Sequence, residues 1–166
     1  MKPKVLIVMG SDSDLPVMEA SEEILRKFNI PYDLTIASAH RSPGRAIKLA
    51  SEAEKKGIEV IIAGAGMAAH LAGVLAAHTI LPVIGVPIDS SSFHGLDSLL
   101  STVQMPPGIP VATVAVGKNG AKNAAILAAQ ILAGKDPDLA RRLKRYKRNL
   151  SEEVEKKAEA LRGRTR

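Results

Sequence analysis

From Val60 to Ile88 the chain runs 29 residues without one Asp, Glu, Lys or Arg. A stretch that long is able to span a bilayer, or else it must be buried inside a protein core. Gly64, Gly66, Gly73, Pro82, Gly85 and Pro87 interrupt it, and His70 and His78 sit within it. Those breaks fit strand, loop, helix and second strand better than one membrane helix. The neighbouring segments extend the same alternation. Lys4–Met9 is a continuous apolar run, as expected of a strand covered on both faces. Helical spacing follows over 15–28, a strand over 32–37, a helix over 43–56 and a strand over 58–63. A helix over 68–79, strands over 82–86 and 111–116, and a helix over 119–133 complete the series. Alternating strands and helices predict one α/β domain, a flavodoxin-like three-layer sandwich with a parallel five-stranded sheet in the order 2-1-3-4-5 and a C-terminal helix.

The domain is expected over 1–134, followed by a basic helical extension over 135–166. The whole net charge of +6 falls in that extension: 1–134 carries 11 basic and 11 acidic residues, and 135–166 carries 12 and 6. A neutral body with a basic helix argues against a nucleic-acid face, and 2% aromatic content leaves few stacking platforms for single strands. The chain has no cysteine, which excludes disulfides and thiolate chemistry. No signal peptide is read at the N-terminus, so a cytoplasmic protein with no membrane or nucleic-acid partner is expected. The third helix and the 124–133 segment, where only Gln130 is polar, look too apolar for a monomer; a homo-oligomer is expected.

In a parallel sheet ligands bind beyond the carboxyl ends of the strands. Three loops fall there. Gly10-Ser-Asp-Ser-Asp14 offers backbone N–H groups and the Ser11 and Ser13 hydroxyls to a phosphate, with Asp14 better suited to sugar hydroxyls. The same residues would equally serve as a helix cap. Ser38-Ala-His-Arg-Ser-Pro43 sets His40, able to give and take a proton near neutrality, beside Arg41, whose guanidinium can fork onto a phosphate. Gly64-Ala-Gly-Met-Ala-Ala69 fits the G-x-G-x-x-A dinucleotide fingerprint, with Asp89 placed as a ribose partner, so a nicotinamide-binding module is a rival reading. His70, His78 and His94 make no metal-ligand spacing; no metal is expected.

Met9-Gly-Ser-Asp-Ser-Asp14, Ser38-Ala-His-Arg-Ser-Pro43, Gly64-Ala-Gly-Met-Ala-Ala-His-Leu-Ala-Gly73 and Asp97-Ser-Leu-Leu-Ser-Thr-Val-Gln-Met-Pro106, in that order, resemble the PurE family. Gly108–Thr113 and Asn123–Ala128 continue the likeness, which covers 4 to about 150. The resemblance implies a flavodoxin-like fold, an octamer, no cofactor, and carboxylation of an aminoimidazole ribonucleotide. Arg41 after His40, rather than Lys, resembles the class I form, which moves a carboxylate from N5 to C4 of one imidazole. The class II form, adding free CO2, is the alternative. The likeness assigns Ser11, Asp14 and Arg41 to the ribose phosphate. It assigns Ser13, Ser38, Ala39, Gly64, Ala65, Gly66, His70 and Leu71 to the rest of the pocket, and His40 to proton transfer. Met67 and Ala72 depart from the family's usual Gly and Pro.

Overall fold

The computed structural model describes residues 2–162. Five strands, β1 (Val5–Met9), β2 (Tyr32–Ile36), β3 (Val60–Gly66), β4 (Val83–Ile88) and β5 (Ala112–Thr113), pair in parallel in the order β2-β1-β3-β4-β5. The helices are α1 (Leu15–Lys27), α2 (Pro43–Ala53), α3 (Leu71–Ala76), α4 (Leu96–Val103), α5 (Gly117–Ala133) and α6 (Pro137–Arg162).

Strand residues alternate between two cores, as the two-residue period of a strand requires. Val5, Ile7, Met9, Val60, Ile62, Ile84 and Val86 share one core with Met18 and Leu25 of α1, the α5 alanines, and Leu139 and Leu143 of α6. Leu6, Val8, Ile61, Ala63 and Val83 face the other, with Ala46, Ala50 and Ala53 of α2 and Leu71, Ala72 and Leu75 of α3. Every residue of β1 and β4 is buried, which explains why both read as unbroken apolar runs. The uncharged 60–88 stretch is therefore the sheet's centre and one covering helix. No helix among the described residues is long and apolar enough to cross a membrane.

Small residues set the layer spacing. A methyl on Gly64 would stand 2.5 Å from Met18 Sδ, and one on Gly85 would stand 2.4 Å from Thr102 Cγ2. Glycine at these two strand positions lets α1 and α4 close onto opposite faces. Ser21 of α1, fully buried, donates from Oγ to the Ala121 carbonyl of α5 at 2.7 Å.

Several expected boundaries shift. β3 runs to Gly66 rather than Ala63, and α3 is only Leu71–Ala76, because 67–70 forms a separate loop. α4 was not anticipated, although Leu96, Leu99, Leu100 and Val103 carry helical spacing; Gly95, left-handed at φ +82°, opens it. β5 is two residues long. α5 buries one face within the chain, through Ala121, Ala124, Ala125, Ala128, Ala129 and Leu132, while Ile126 and Leu127 are half-buried and Ile131 is exposed. α6 begins as expected, with Asp136 Oδ1 accepting from Leu139 N–H at 2.9 Å. Leu139 and Leu143 dock it, each fully buried leucine contributing roughly 1.5–3 kcal/mol. Tyr146 meets Phe28 edge-on at 5.4 Å. Beyond it Leu150 and Val154 are exposed, and the last four residues of the basic extension lie outside the described residues.

Candidate active site

The loops after β1, β2, β3 and β4 meet at the carboxyl edge of the sheet around a cavity of about 520 Å³. β1 and β3 are hydrogen-bonded neighbours and β2 lies beside β1, so the three sequence-predicted loops are brought together by strand order alone.

The β1 loop folds as a single 3-10 turn over Asp12–Asp14, leading into α1. Ser11 and Asp14 cap it reciprocally: Ser11 Oγ accepts from Ser13 N–H at 3.4 Å, and Asp14 Oδ2 accepts from Ser11 N–H at 3.0 Å. The capping role therefore exists, and it positions these side chains on the cavity wall. Asp14 is buried, and that burial pushes its carboxyl above the ordinary value, opposed by the Ser11 hydrogen bond. The neighbouring Asp12 is exposed and held below its ordinary value, chiefly by the Ser11 hydroxyl.

The β2 loop bonds to itself. Ser38 N–H donates to Ser42 Oγ at 2.9 Å, Ser42 N–H donates to the Ser38 carbonyl at 3.0 Å, and Arg41 N–H donates to Ser38 Oγ at 3.0 Å. This fixed turn presents His40 and Arg41 outward, both exposed. Arg41 Nη2 reaches across to the Gly10 carbonyl at 3.4 Å, and Gly10 N–H donates to the Gly64 carbonyl at 3.0 Å. His40 Nε2 lies 2.8 Å from His70 Nδ1, with the rings edge-on at 4.9 Å. One nitrogen of that pair must carry a proton and the other a lone pair, so each ring sets the other's tautomer.

Of the predicted residues, Ser11, Ser13, Asp14, Ser38, Ala39, His40, Arg41, Ala65, Gly66, His70 and Leu71 line the cavity together. Gly64 does not. It is buried inside β3, paired with both neighbouring strands, and its place against Met18 accounts for the glycine. This also removes the dinucleotide reading's geometry. That fingerprint needs its first glycine in a tight turn opening a helix, whereas Gly64-Ala-Gly66 is still strand and α3 starts five residues later, at Leu71. His78 lies off the cavity and its Nδ1 contacts the Val74 carbonyl at 2.8 Å; His94 sits left-handed in the β4 loop.

Gly10, Met67, Ala68 and Ser90 complete the lining. Ser90 was missed, although it follows β4 just as the other loops follow their strands. Its Oγ would lie 1.8 Å from a Cβ built on Gly66, so the two are in direct contact. The two departures fall differently. Ala72 is buried on the core-facing side of α3, while Met67 is exposed on the cavity wall.

A family model described as AIR carboxylase matches residues 4–153. The chain belongs to the AIR carboxylase, or PurE, family. It is 59% identical over 160 residues to the N5-carboxyaminoimidazole ribonucleotide mutase of Pyrococcus horikoshii, covering 96% of this chain and 89% of that one. It is 52% identical to the Bacillus subtilis protein of the same name, covering 97% and 99%. The crystal structure of Treponema denticola PurE superposes with a TM-score of 0.87 at 31% identity, covering 96% and 98%. In this PurE-family chain, all four polar loops belong to one site, which the dinucleotide reading left unexplained.

Proposed function

We propose that this protein is an N5-carboxyaminoimidazole ribonucleotide mutase of purine biosynthesis. It converts the N5-carbamate of the aminoimidazole ribonucleotide into the 4-carboxylate of the same ring, an isomerisation. The observation that carries the reading is the convergence of a proton-transfer group, His40, and a fixed cation, Arg41, on one cavity walled by small strand-end residues.

Arg41, Ser11 and Asp14 hold the ribose phosphate end. The guanidinium forks onto phosphate oxygens, and the Ser11 hydroxyl, which donates to Asp12 Oδ1 at 2.9 Å in the free protein, turns to donate to the phosphate. Asp14 carries negative charge and so accepts from ribose hydroxyls rather than meeting the phosphate. Ser13, Ser38, Ala39, Ala65, Gly66, His70 and Leu71 surround the base. The carbamate C–N bond then breaks; N5 keeps the electron pair and takes a proton, and CO2 is released inside the pocket. C4 of the electron-rich imidazole attacks the CO2 carbon, and the C4 proton leaves to restore aromaticity. One proton is given and one recovered, so the His40 imidazole serves both steps, with His70 fixing its tautomer. Backbone N–H groups near Gly66 hold the carboxylate. Keeping CO2 beside C4 replaces a dilute encounter and is worth up to roughly 7–11 kcal/mol.

The protein works as a cytoplasmic homo-octamer. An exposed apolar row on and before α4, formed by Phe93, Leu96, Leu100 and Val103, supports burial against other copies. Asp97 Oδ1, buried beside that row with no hydrogen-bond partner among the described residues, fits the same reading. The division into a catalytic domain over 1–134 and a basic extension over 135–166 is part of this proposal. Supplying the carbamate without added bicarbonate tests the reaction. Formation of the 4-carboxylate is the expected result; turnover only from the free amine with CO2 would replace the mutase with a carboxylase.

A further inference from the structure

We propose that Met67 determines how well this pocket retains carbon dioxide, standing as an apolar wall across the cavity mouth on a backbone held in an unfavourable conformation. The inference rests on the mutase reading and extends it to a residue with no assigned role.

Among the described residues three besides glycine have positive φ: Asn29 at 52°, His94 at 50° and Met67 at 56°. Asn and His adopt the left-handed region several-fold more readily than other side chains; methionine has no such compensation. Such a residue persists only where its surroundings over-determine it, and these places cluster at functional sites. Here α4 supplies the grip. Ser101 Oγ accepts from Ala69 N–H at 2.9 Å and lies 3.4 Å from the Met67 carbonyl oxygen, and Ser101 is itself anchored to the Asp97 carbonyl at 2.8 Å. Glycine would take the same backbone path without strain. The methionine side chain therefore needs a reason outside the fold.

Its position gives one. Met67 lines the cavity yet is 59% exposed, so it stands at the mouth rather than the floor. Part of the surrounding wall is polar, at Ser11, Ser13, Arg41 and Ser90, and admits water. Between the two bond changes CO2 is uncharged and apolar. If it escapes, the free amine accumulates and the CO2 hydrates to bicarbonate and a proton. A flexible thioether chain adapts to an irregular opening and slows both exit of CO2 and entry of water.

The test follows isotope through one turnover. Wild-type protein and the Met67→Gly, Met67→Ala and Met67→Leu variants receive carbamate labelled with carbon-13 in the carboxylate, in unlabelled bicarbonate buffer. The label in the 4-carboxylate product and the free amine formed are measured, with spontaneous decay subtracted. Wild type and Met67→Leu should keep most of the label. Met67→Gly and Met67→Ala should release free amine at least ~5-fold more per product, with KM for the carbamate changed less than 2-fold, on the scale expected for removing an apolar contact. Met67→Gly should melt no lower than Met67→Ala, since only glycine relieves the backbone. Equal retention in all four proteins overturns the proposal while leaving the mutase reading intact. A wild type that forms no labelled product from the carbamate removes the mutase reading and this inference together.

Discussion

Replacing Gly66 by alanine should break catalysis while leaving phosphate anchoring in place. A methyl at this position would stand 1.8 Å from Ser90 Oγ, 2.9 Å from Ser90 Cβ and 3.1 Å from the Ile88 carbonyl oxygen. Rotating the Ser90 side chain clears the hydroxyl but not its Cβ, so the β4 loop must also move. Overpacking of this kind costs about 1–3 kcal/mol. For a chain of this size that lowers Tm by about 2–12 °C. The loss of rate should be larger, because the displaced loop borders the place proposed for the migrating carboxylate, and misplacement by about 1 Å can cost 100-fold. Arg41, Ser11 and Asp14 stand on the β1 and β2 side, so KM should change less than kcat. The check is a double-mutant cycle of kcat and Tm over Gly66→Ala, Ser90→Gly and the pair. Ser90→Gly removes both of the closest atoms, and the double variant should recover at least half of the lost Tm and ~10-fold or more of the lost rate, as expected for side chains in contact. A double variant as impaired as Gly66→Ala alone would refute the steric reasoning.

His40→Asn should bind the carbamate normally and lose at least ~100-fold in kcat; steady-state kinetics with near-normal turnover would exclude His40 as the proton carrier. Arg41→Ala should raise KM by at least ~10-fold, the loss of about 1.5–3 kcal/mol for a charge-assisted contact, with kcat changed far less; calorimetry showing unchanged binding would remove it from the phosphate site. Burial raises the Asp14 carboxyl above its ordinary 3.8, so its ionised form opposes folding. Its contribution to stability is therefore complete below the unfolded value and is lost as pH rises through the folded one. Asp14→Asn keeps an acceptor for Ser11 N–H, so its Tm relative to wild type should increase from acid to neutral pH; a constant difference would show that Asp14 is not destabilised by burial.

β1, β3 and β4 were legible because they are covered on both faces and so carry apolar runs, while α1, α2 and α5 show the helical period. Strand order placed the Ser11, His40 and Gly66 loops together before any side chain was considered. Elsewhere a local signal was outweighed. The first residues expected in α3 lie instead in a loop that Ser101 of α4 holds through Ala69 N–H, a contact 32 residues away in sequence that periodicity does not record. Gly64 read as a ligand-facing glycine, yet its missing side chain makes room for Met18. The inner face of α5 is covered by α1, the sheet and α6, a packing that the helix's own sequence does not record. Ser90 was within reach: the strand-end rule, applied to β4 as to β1, β2 and β3, finds it.

The hydrogen bonds of the site explain how a surface cleft made of loops can hold its geometry. The β1 loop is closed by the Ser11–Asp14 capping pair, the β2 loop by Ser38 and Ser42, and the β3 loop by Ser101. Each loop is thus pinned by a serine hydroxyl or a carboxylate before substrate arrives. They are then tied to one another, β2 to β1 through Arg41 and the Gly10 carbonyl, β1 to β3 through Gly10 N–H and the Gly64 carbonyl, and β2 to the β3 loop through His40 and His70. The ordering cost is met during folding, so binding energy from the phosphate end need not be spent on assembling the wall around CO2. Gly10 joins two elements, since its carbonyl faces Arg41 of the β2 loop and its N–H donates to Gly64 of strand β3. Disturbance of the β2 loop should therefore reach β1 through Arg41 and the Gly10 carbonyl, and the β3 loop through His40 and His70.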